Sequence, residues 1–388
     1  MVFANVGLIL PERIIERGWL RVENGVIAEF ADGDPPSSLR PPKQDGARGW
    51  LAPGFIDLHV HGAMGRDFME ASDGAFTEIL QHHAKGGTTT VAATSLTAPW
   101  SEIASMLETA GRFREVAGLP RVAGVHLEGP WLSPAKPGVH RAALFSRPDR
   151  EAVARVIGWR DLVLLVTLAP ELPGAVEAIE ALSAAGIVAS AGHSNAWDED
   201  VGRAVVAGLG RVTHLFNAMS SARRRGAYRV AGLLECALAE PRITAEIIAD
   251  GQHVSATLLR LAIRAKGIDG LCLVSDATAA CGLAEWSEYR LGEMACVARD
   301  GAGFLAGQEV LAGSAVWMID CVQNVIRHAG VSLVEAVRMA TFIPARTIGS
   351  RLSGAPIGRL EVGAAADLVW MTSELEVAGT WRSGERIA

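Results

Sequence analysis

From Pro53 onward, apolar runs of strand length alternate with amphipathic runs of helix length, and this alternation leaves few folds open. The strand-like runs cover residues 55–62, 88–95, 122–130, 162–170, 186–194, 211–219, 243–254 and 270–279. Helical patterns lie between them at 73–85, 100–116, 150–158, 174–185, 198–207 and 255–266. Continuously apolar strands joined by helical crossovers form a parallel sheet covered on both faces. Eight such units are the count of a closed, TIM-type (β/α)8 barrel, an α/β fold. An open, doubly wound sheet would carry a glycine-rich phosphate loop after its first strand, and Gly62-Ala63-Met64-Gly65 lacks that pattern.

The two chain ends read as all-β. Short runs at 6–10, 13–15, 18–22 and 26–30 include Asn24-Gly25, a hairpin turn signal. Runs at 357–360, 367–371, 377–381 and 386–387 form the other end. Each end buries its apolar face most simply against the other. The expected organisation is therefore a small β-sandwich domain of residues 1–52 and 355–388, with the barrel of residues 53–354 inserted between its halves. Residues 32–49, rich in proline, glycine and charge, read as a surface loop. Residues 289–310 read as a β-hairpin insertion turning at Arg299-Asp300-Gly301. Helices are expected at 314–329 and 332–348, the second opened by Ser332 with Glu335 three residues on.

Apolar residues make up 49% of the chain, enough for a large core, and the net charge of −7 gives no footprint for nucleic acid or a membrane surface. Residues 1–10 are apolar but carry no basic leader, so neither signal peptide nor membrane span is expected. Five cysteines, none spaced as C-x-x-C, point to reduced thiols in a cytoplasmic setting and away from a thiolate metal site.

Function in such barrels gathers at the C-terminal ends of the strands. Strand one ends Asp57-Leu58-His59-Val60-His61, and residues two apart share a face, so His59 and His61 both point inward. Strand three ends at Glu128, whose buried carboxylate costs several kcal/mol unless a cation or an arginine compensates it. Strand five ends at His193, strand six carries His214, and strand eight ends at Asp276. Four imidazoles and two carboxylates converging on one barrel mouth form a ligand set for zinc, iron or manganese. Four other histidines fit duller roles. His82 and His83 read as helix surface, His328 sits in a helix's last turn, and His126 reads as a core residue behind the ligands.

Several segments carry a resemblance. Pro53 to Gly62 resembles the opening strand of the amidohydrolase superfamily, and Gly358-Arg359-Leu360 with Gly363 to Val369 resembles its closing segment. His126-Leu127-Glu128-Gly129-Pro130, Ala191-Gly192-His193-Ser194, Thr213 to Met219, Ala249 to Val254 and Leu273 to Ala277 are similar to the N-acetylglucosamine-6-phosphate deacetylases. The resemblance implies hydrolysis of the N-acetyl group of N-acetylglucosamine 6-phosphate. Glu128, His193 and His214 would hold a divalent metal, most simply Zn2+, with Fe2+ or Mn2+ also compatible. His59 and His61 would admit a second ion, so one or two ions remain open. Asp276 would be the general base, and His140 would polarise the carbonyl. Asn217, Ala218, His253 and an arginine after Met219 would grip the sugar phosphate, with Val139, Leu311, Ala312 and Gly313 lining the sugar pocket. The family's phosphate arginine reaches a neighbouring subunit, which implies a homodimer. Here the family's Arg-x-Pro-Gly is replaced within Ser220 to Gly232, and Arg225 falls at the phosphate position. That departure keeps another N-acetylated amino sugar open, either the galactosamine epimer or an unphosphorylated sugar.

Overall fold

The computed structural model describes residues 1–39, 44–46, 49–352 and 354–388. Its central feature is a ring of eight parallel strands: Phe55–Val60, Thr88–Ser95, Arg121–Glu128, Val163–Leu168, Val188–Ala191, Arg211–Val212, Thr244–Ile248 and Leu271–Val274. Consecutive strands pair throughout. The ring closes through a Val60–Ala277 bridge, with the Asp276 N–H donating to His59 O (2.9 Å) and the His61 N–H to Ala277 O (2.8 Å). Closure leaves no unpaired edge and brings the first and last strand ends together.

The crossover helices lie where the 3.6-residue period placed them, beginning with Asp73–Lys85, Trp100–Arg112 and Arg150–Ile157. Ser72 and Asp149 cap two of them by accepting backbone N–H bonds from Ala75 and Ala152. Leu233–Ala239 is an additional helix, too short to show a period. Strand six is far shorter than the apolar run 211–219. Beyond Val212 the backbone turns left-handed at His214 (φ 30°), Phe216 (φ 79°) and Ala218 (φ 48°), so the ladder cannot continue.

The chain ends share one sheet, ordered Glu385–Arg386, Val377–Arg382, Leu368–Met371, Trp50–Pro53, Val2–Ile9, Ile14–Glu23 and Val26–Asp32. The runs 13–15 and 18–22 are one strand, and 357–360 is not a strand. Asn24 (φ 49°) and Gly25 (φ 78°) make the expected turn. The sheet folds over Phe3, Leu8, Leu20, Leu51, Leu368 and Trp381. Its far ends converge on 363–366: the Ile27 N–H donates to Ala364 O (2.9 Å) and the Gly384 N–H to Ala366 O (2.9 Å). The layers of the expected sandwich are thus two parts of one folded sheet. A buried Arg121–Asp367 ion pair (2.7 Å) ties this sheet to barrel strand three.

The insertion is larger than a hairpin. Glu288–Leu291, Met294–Arg299, Ala302–Leu305 and Leu311–Ser314 form a four-stranded antiparallel sheet whose last strand is bridged to Ala277. The expected helix 332–348 is two helices, Leu333–Ala340 and Phe342–Ile348, broken at Thr341 (φ −134°). Pro344 explains the break, because it has no N–H to donate to Ala340 O. His82 and His83 are buried, not on the surface. His83 bonds Gly62 O (3.1 Å) and His82 packs on the Trp317 ring, because both sides of this helix end are covered. Residues 40–43 and 47–48 of the expected loop lie outside the described residues, while Gln44–Asp45 pairs with the first strand. No helix among the described residues is long and apolar enough to cross a membrane.

Candidate metal centre and active site

The side chains singled out at the strand ends meet at one mouth of the barrel. On strand one His59 and His61 face inward together, their Nε2 atoms 3.2 Å apart. Strand three delivers Glu128 as its last residue. Strands five, six and eight deliver His193, His214 and Asp276 two residues past their ends, each in a left-handed backbone conformation (φ 46°, 30° and 50°). Such conformations are costly for residues with a Cβ and cluster at functional sites. Two glycines make room for this. A Cβ on Gly313 (φ +74°) would lie 2.7 Å from Asp276 O, and one on Gly138 (φ +54°) 2.8 Å from His193 Cε1.

The Glu128 carboxylate organises two clusters. Its Oε1 lies 3.1 Å from His193 Nε2 and 3.1 Å from His214 Nε2, which are 3.1 Å from each other. Its Oε2 lies 3.3 Å from His61 Nε2 and 3.6 Å from His59 Nε2, and both imidazoles lie 3.3 Å from Asp276 Oδ1. The remaining contacts fix where protons sit. His193 Nδ1 faces Lys136 O (3.0 Å) and must donate, which leaves Nε2 bare. His59 Nδ1 lies 3.0 Å from Glu246 Oε2 and donates there, which also leaves its Nε2 bare. Bare nitrogens thus point at carboxylate oxygens and at one another, an arrangement that asks for a cation. Ligand bonds of about 2.0–2.1 Å in a tetrahedral site separate donor atoms by about 3.3 Å, close to the edges of the Glu128–His193–His214 triangle. These residues fit a divalent metal.

The electrostatics agree. Burial pushes the His61 imidazole down, but Asp276 and Glu128 outweigh it and carry it up to about 9. Burial likewise opposes ionisation of Glu128, yet His59 and His140 hold it well below the usual carboxylate range. The same field that draws a proton to this cluster draws a metal ion. A third cluster, His59, His126 and Glu246, is not open in this way. Both nitrogens of His126 are already engaged, by Leu58 O (3.1 Å) and Thr167 Oγ1 (2.7 Å), and burial takes the imidazole down to about 3. His126 is the neutral core residue expected from its position.

His140 adjoins both Glu128 and His193, its ring centroid 4.6 Å from that of His193. The Thr97 N–H donates to its Nδ1 (3.3 Å), so its proton sits on Nε2, 3.1 Å from Glu128 Oε2. Val139, Asn217, Ala218, His253, Leu311 and Gly313 line the same pocket as His61, Glu128, His193, His214 and Asp276. Ala312 does not line it. Its side chain is fully buried, and its carbonyl accepts from the Tyr289 hydroxyl (3.4 Å). His253 faces Asp250 Oδ2 (2.6 Å). Burial opposes its charge, but Asp250 outweighs burial and raises its pKa. Arg225 is not brought to this pocket. It lies in an exposed hairpin, Arg223–Arg225 with Tyr228–Val230, where its guanidinium pairs with Glu199 (2.9 Å).

Sequence reasoning missed the supports beneath the candidate ligands. Glu246 on strand seven holds His59, accepts from the His214 N–H (3.4 Å) and pairs with Arg211 (3.4 Å), all of it buried. Asp57 accepts from Ser275, and burial raises its carboxyl to about 6. The available signal was Glu246 itself, a lone charge inside the apolar run 243–249.

Residues 50–387 match the profile of the amidohydrolase family. The chain is 33% identical to the N-acetylglucosamine-6-phosphate deacetylase of Vibrio furnissii, over 87% of this chain and 82% of that one. It is 30% identical to the enzyme of the same name from Bacillus subtilis, over 97% and 94%. Among solved structures, a mutant N-acetyl-D-glucosamine-6-phosphate deacetylase of Mycobacterium smegmatis, in complex with N-acetyl-D-glucosamine-6-phosphate, superposes with a TM-score of 0.92. It shares 32% identity, with 100% of this chain and 99% of that one covered.

Proposed function

The chain belongs to the amidohydrolase family, and from that premise we propose that it deacetylates N-acetylglucosamine 6-phosphate, releasing acetate and glucosamine 6-phosphate. The observation that carries this reading is Glu128 shared between two pairs of histidines, in a pocket that also holds His140 and Asp276. Glu128, His193 and His214 hold the principal metal, which we take as zinc, and His59 and His61 a second. The ion supplies Lewis acidity and lowers the pKa of water toward neutrality. His140 donates its Nε2 proton toward the carbonyl oxygen and stabilises the charge that develops there. Asp276, ionised at neutral pH, takes the proton of the attacking water and passes it to the leaving nitrogen. Asn217, Ala218 and Gly313 position the sugar, and His253, whose pKa Asp250 raises, faces its phosphate.

Arg225 completes the phosphate grip from a second copy of the chain, in a homodimer. The arginine hairpin is exposed and contributes no residue to its own chain's pocket, as this arrangement requires. Five free cysteines suit a cytoplasmic enzyme. A second reading, an unphosphorylated or epimeric N-acetyl sugar, is favoured by the same hairpin, since Arg225 already has a partner in Glu199. A substrate panel separates the two. Glucosamine and galactosamine N-acetyl derivatives are assayed with and without the 6-phosphate, on the parent and on Arg225→Ala. A charge-assisted contact contributes about 1.5–3 kcal/mol, so Arg225→Ala should lower kcat/KM for the phosphorylated sugar by about one to two decades and spare the unphosphorylated one. Equal use of both sugars, unchanged in the variant, would move the second reading to the front.

A further inference from the structure

Next to the catalytic pocket lies a second, larger cavity of about 610 Å³, within the usual range of small-molecule sites, roughly 300–1,000 Å³. The two share one wall made of Leu96, Val139, His140 and Leu291. None of the residues assigned to the sugar phosphate, Asn217, Ala218 or His253, borders the larger cavity. Leu96, Leu291, Met69, Leu144 and Met294 line it, together with the charged side chains of Asp67, Glu70, Glu102, Arg141, Arg290 and Glu293. Most of these charged groups have partners. Arg141 pairs with Glu293 (2.5 Å), Arg66 with Glu70 (2.7 Å), and Arg290 donates to Glu293 O (2.6 Å).

The chemistry of an amide says what part of a substrate this cavity faces. A secondary amide is planar and trans, so the sugar on nitrogen and the chain on the acyl carbon point in opposite directions. With the sugar directed at Asn217, Ala218 and His253 and the carbonyl oxygen at His140, the Leu96–Leu291 wall beside His140 is an apolar surface left for the acyl chain. We propose that the cavity is an acyl-chain subsite, and that the enzyme hydrolyses glucosamine 6-phosphates carrying straight N-acyl chains longer than acetyl. This rests on the deacetylase reading above. The reaction balances as for acetate: the water oxygen bonds the acyl carbon, the C–N bond breaks and the amine takes the proton. The products are a longer carboxylate and glucosamine 6-phosphate.

The test compares the metal-loaded enzyme on N-acetyl-, N-butanoyl- and N-hexanoylglucosamine 6-phosphate. Met294→Trp and Leu144→Trp serve as variants because they fill the cavity without touching the catalytic pocket. Burial of each added methylene should raise kcat/KM by as much as about fourfold, so the hexanoyl compound should be used at least as well as the acetyl one. Both tryptophan variants should lower hexanoyl turnover tenfold or more and leave acetyl turnover within about twofold, a contrast expected of steric filling alone. Acetyl turnover without hexanoyl turnover would overturn the subsite while the deacetylase reading stood. So would hexanoyl turnover that neither variant reduced, because the chain would then lie elsewhere. Loss of both substrates in one variant marks misfolding, and the other variant decides. Failure of the parent on all three compounds would refute the deacetylase reading and the subsite with it.

Discussion

Removing Glu246 should weaken one metal position far more than the other. The carboxylate is fully buried and lies 3.0 Å from His59 Nδ1 and 3.4 Å from Arg211. It fixes which His59 nitrogen is bare and which way the ring faces. Loss of such a support typically costs about 10–100-fold in metal affinity, or about 1.4–2.7 kcal/mol. The His193–His214 position feels Glu246 only through the backbone N–H of His214 at 3.4 Å, the outer limit of a hydrogen bond, and should change little. Glu246→Ala also removes the carboxylate partner of Arg211, leaving it Thr347 (2.6 Å) and Cys272. Breaking a buried pair from one side costs about 3–5 kcal/mol. Glu246→Gln should soften that loss, since an amide oxygen can still accept from His59. The assay is calorimetric titration of demetallated protein with Zn2+, alongside urea unfolding of both variants. Unchanged affinity at the weaker position in Glu246→Ala would refute the reasoning. Equal loss at both positions in the well-folded Gln variant would refute the claim that Glu246 acts through His59.

Other expectations follow from the same geometry. His193→Ala or His214→Ala should remove the principal ion and nearly all turnover, and full metal occupancy by elemental analysis in both would exclude them as ligands. Asp276→Asn should keep substrate affinity while lowering kcat by orders of magnitude, and steady-state kinetics showing an equal loss of binding would argue against a proton-shuttle role. Burial takes His83 from an ordinary pKa near 6.5 down to about 4. Between those values the unfolded chain binds a proton that the folded one does not, so stability falls as pH drops through this window, by about 3 kcal/mol from this residue. His83→Gln should flatten that part of the Tm–pH profile, and an unaltered profile would refute the attribution.

The barrel was legible because its signals are local. Apolar runs, helical periods and caps act over a few residues, and the helix at Asp73–Lys85 is bounded as its pattern and the cap at Ser72 dictate. The inward-facing histidines were legible for the same reason, since a strand's two-residue period puts His59 and His61 on one face. Interruptions were harder. Strand six stops at Val212 because left-handed residues follow, and only the tertiary fold stabilises His214, Phe216 and Ala218 in that conformation. His82 and His83 looked like surface because a helix pattern does not say how many neighbours will cover its end. The sequence by itself determined the eight barrel strands, most of their crossover helices, the order of both, and the candidate metal-binding residues. The tertiary structure alone decided which of these residues touch. His59 meets Glu246 across 187 positions of chain, and Glu128 meets His214 across 86, because closing the ring is what brings those strand ends together. Charge pairing at that range leaves no periodic trace in a sequence, since it depends on where the chain returns in space and not on what lies beside a residue along it.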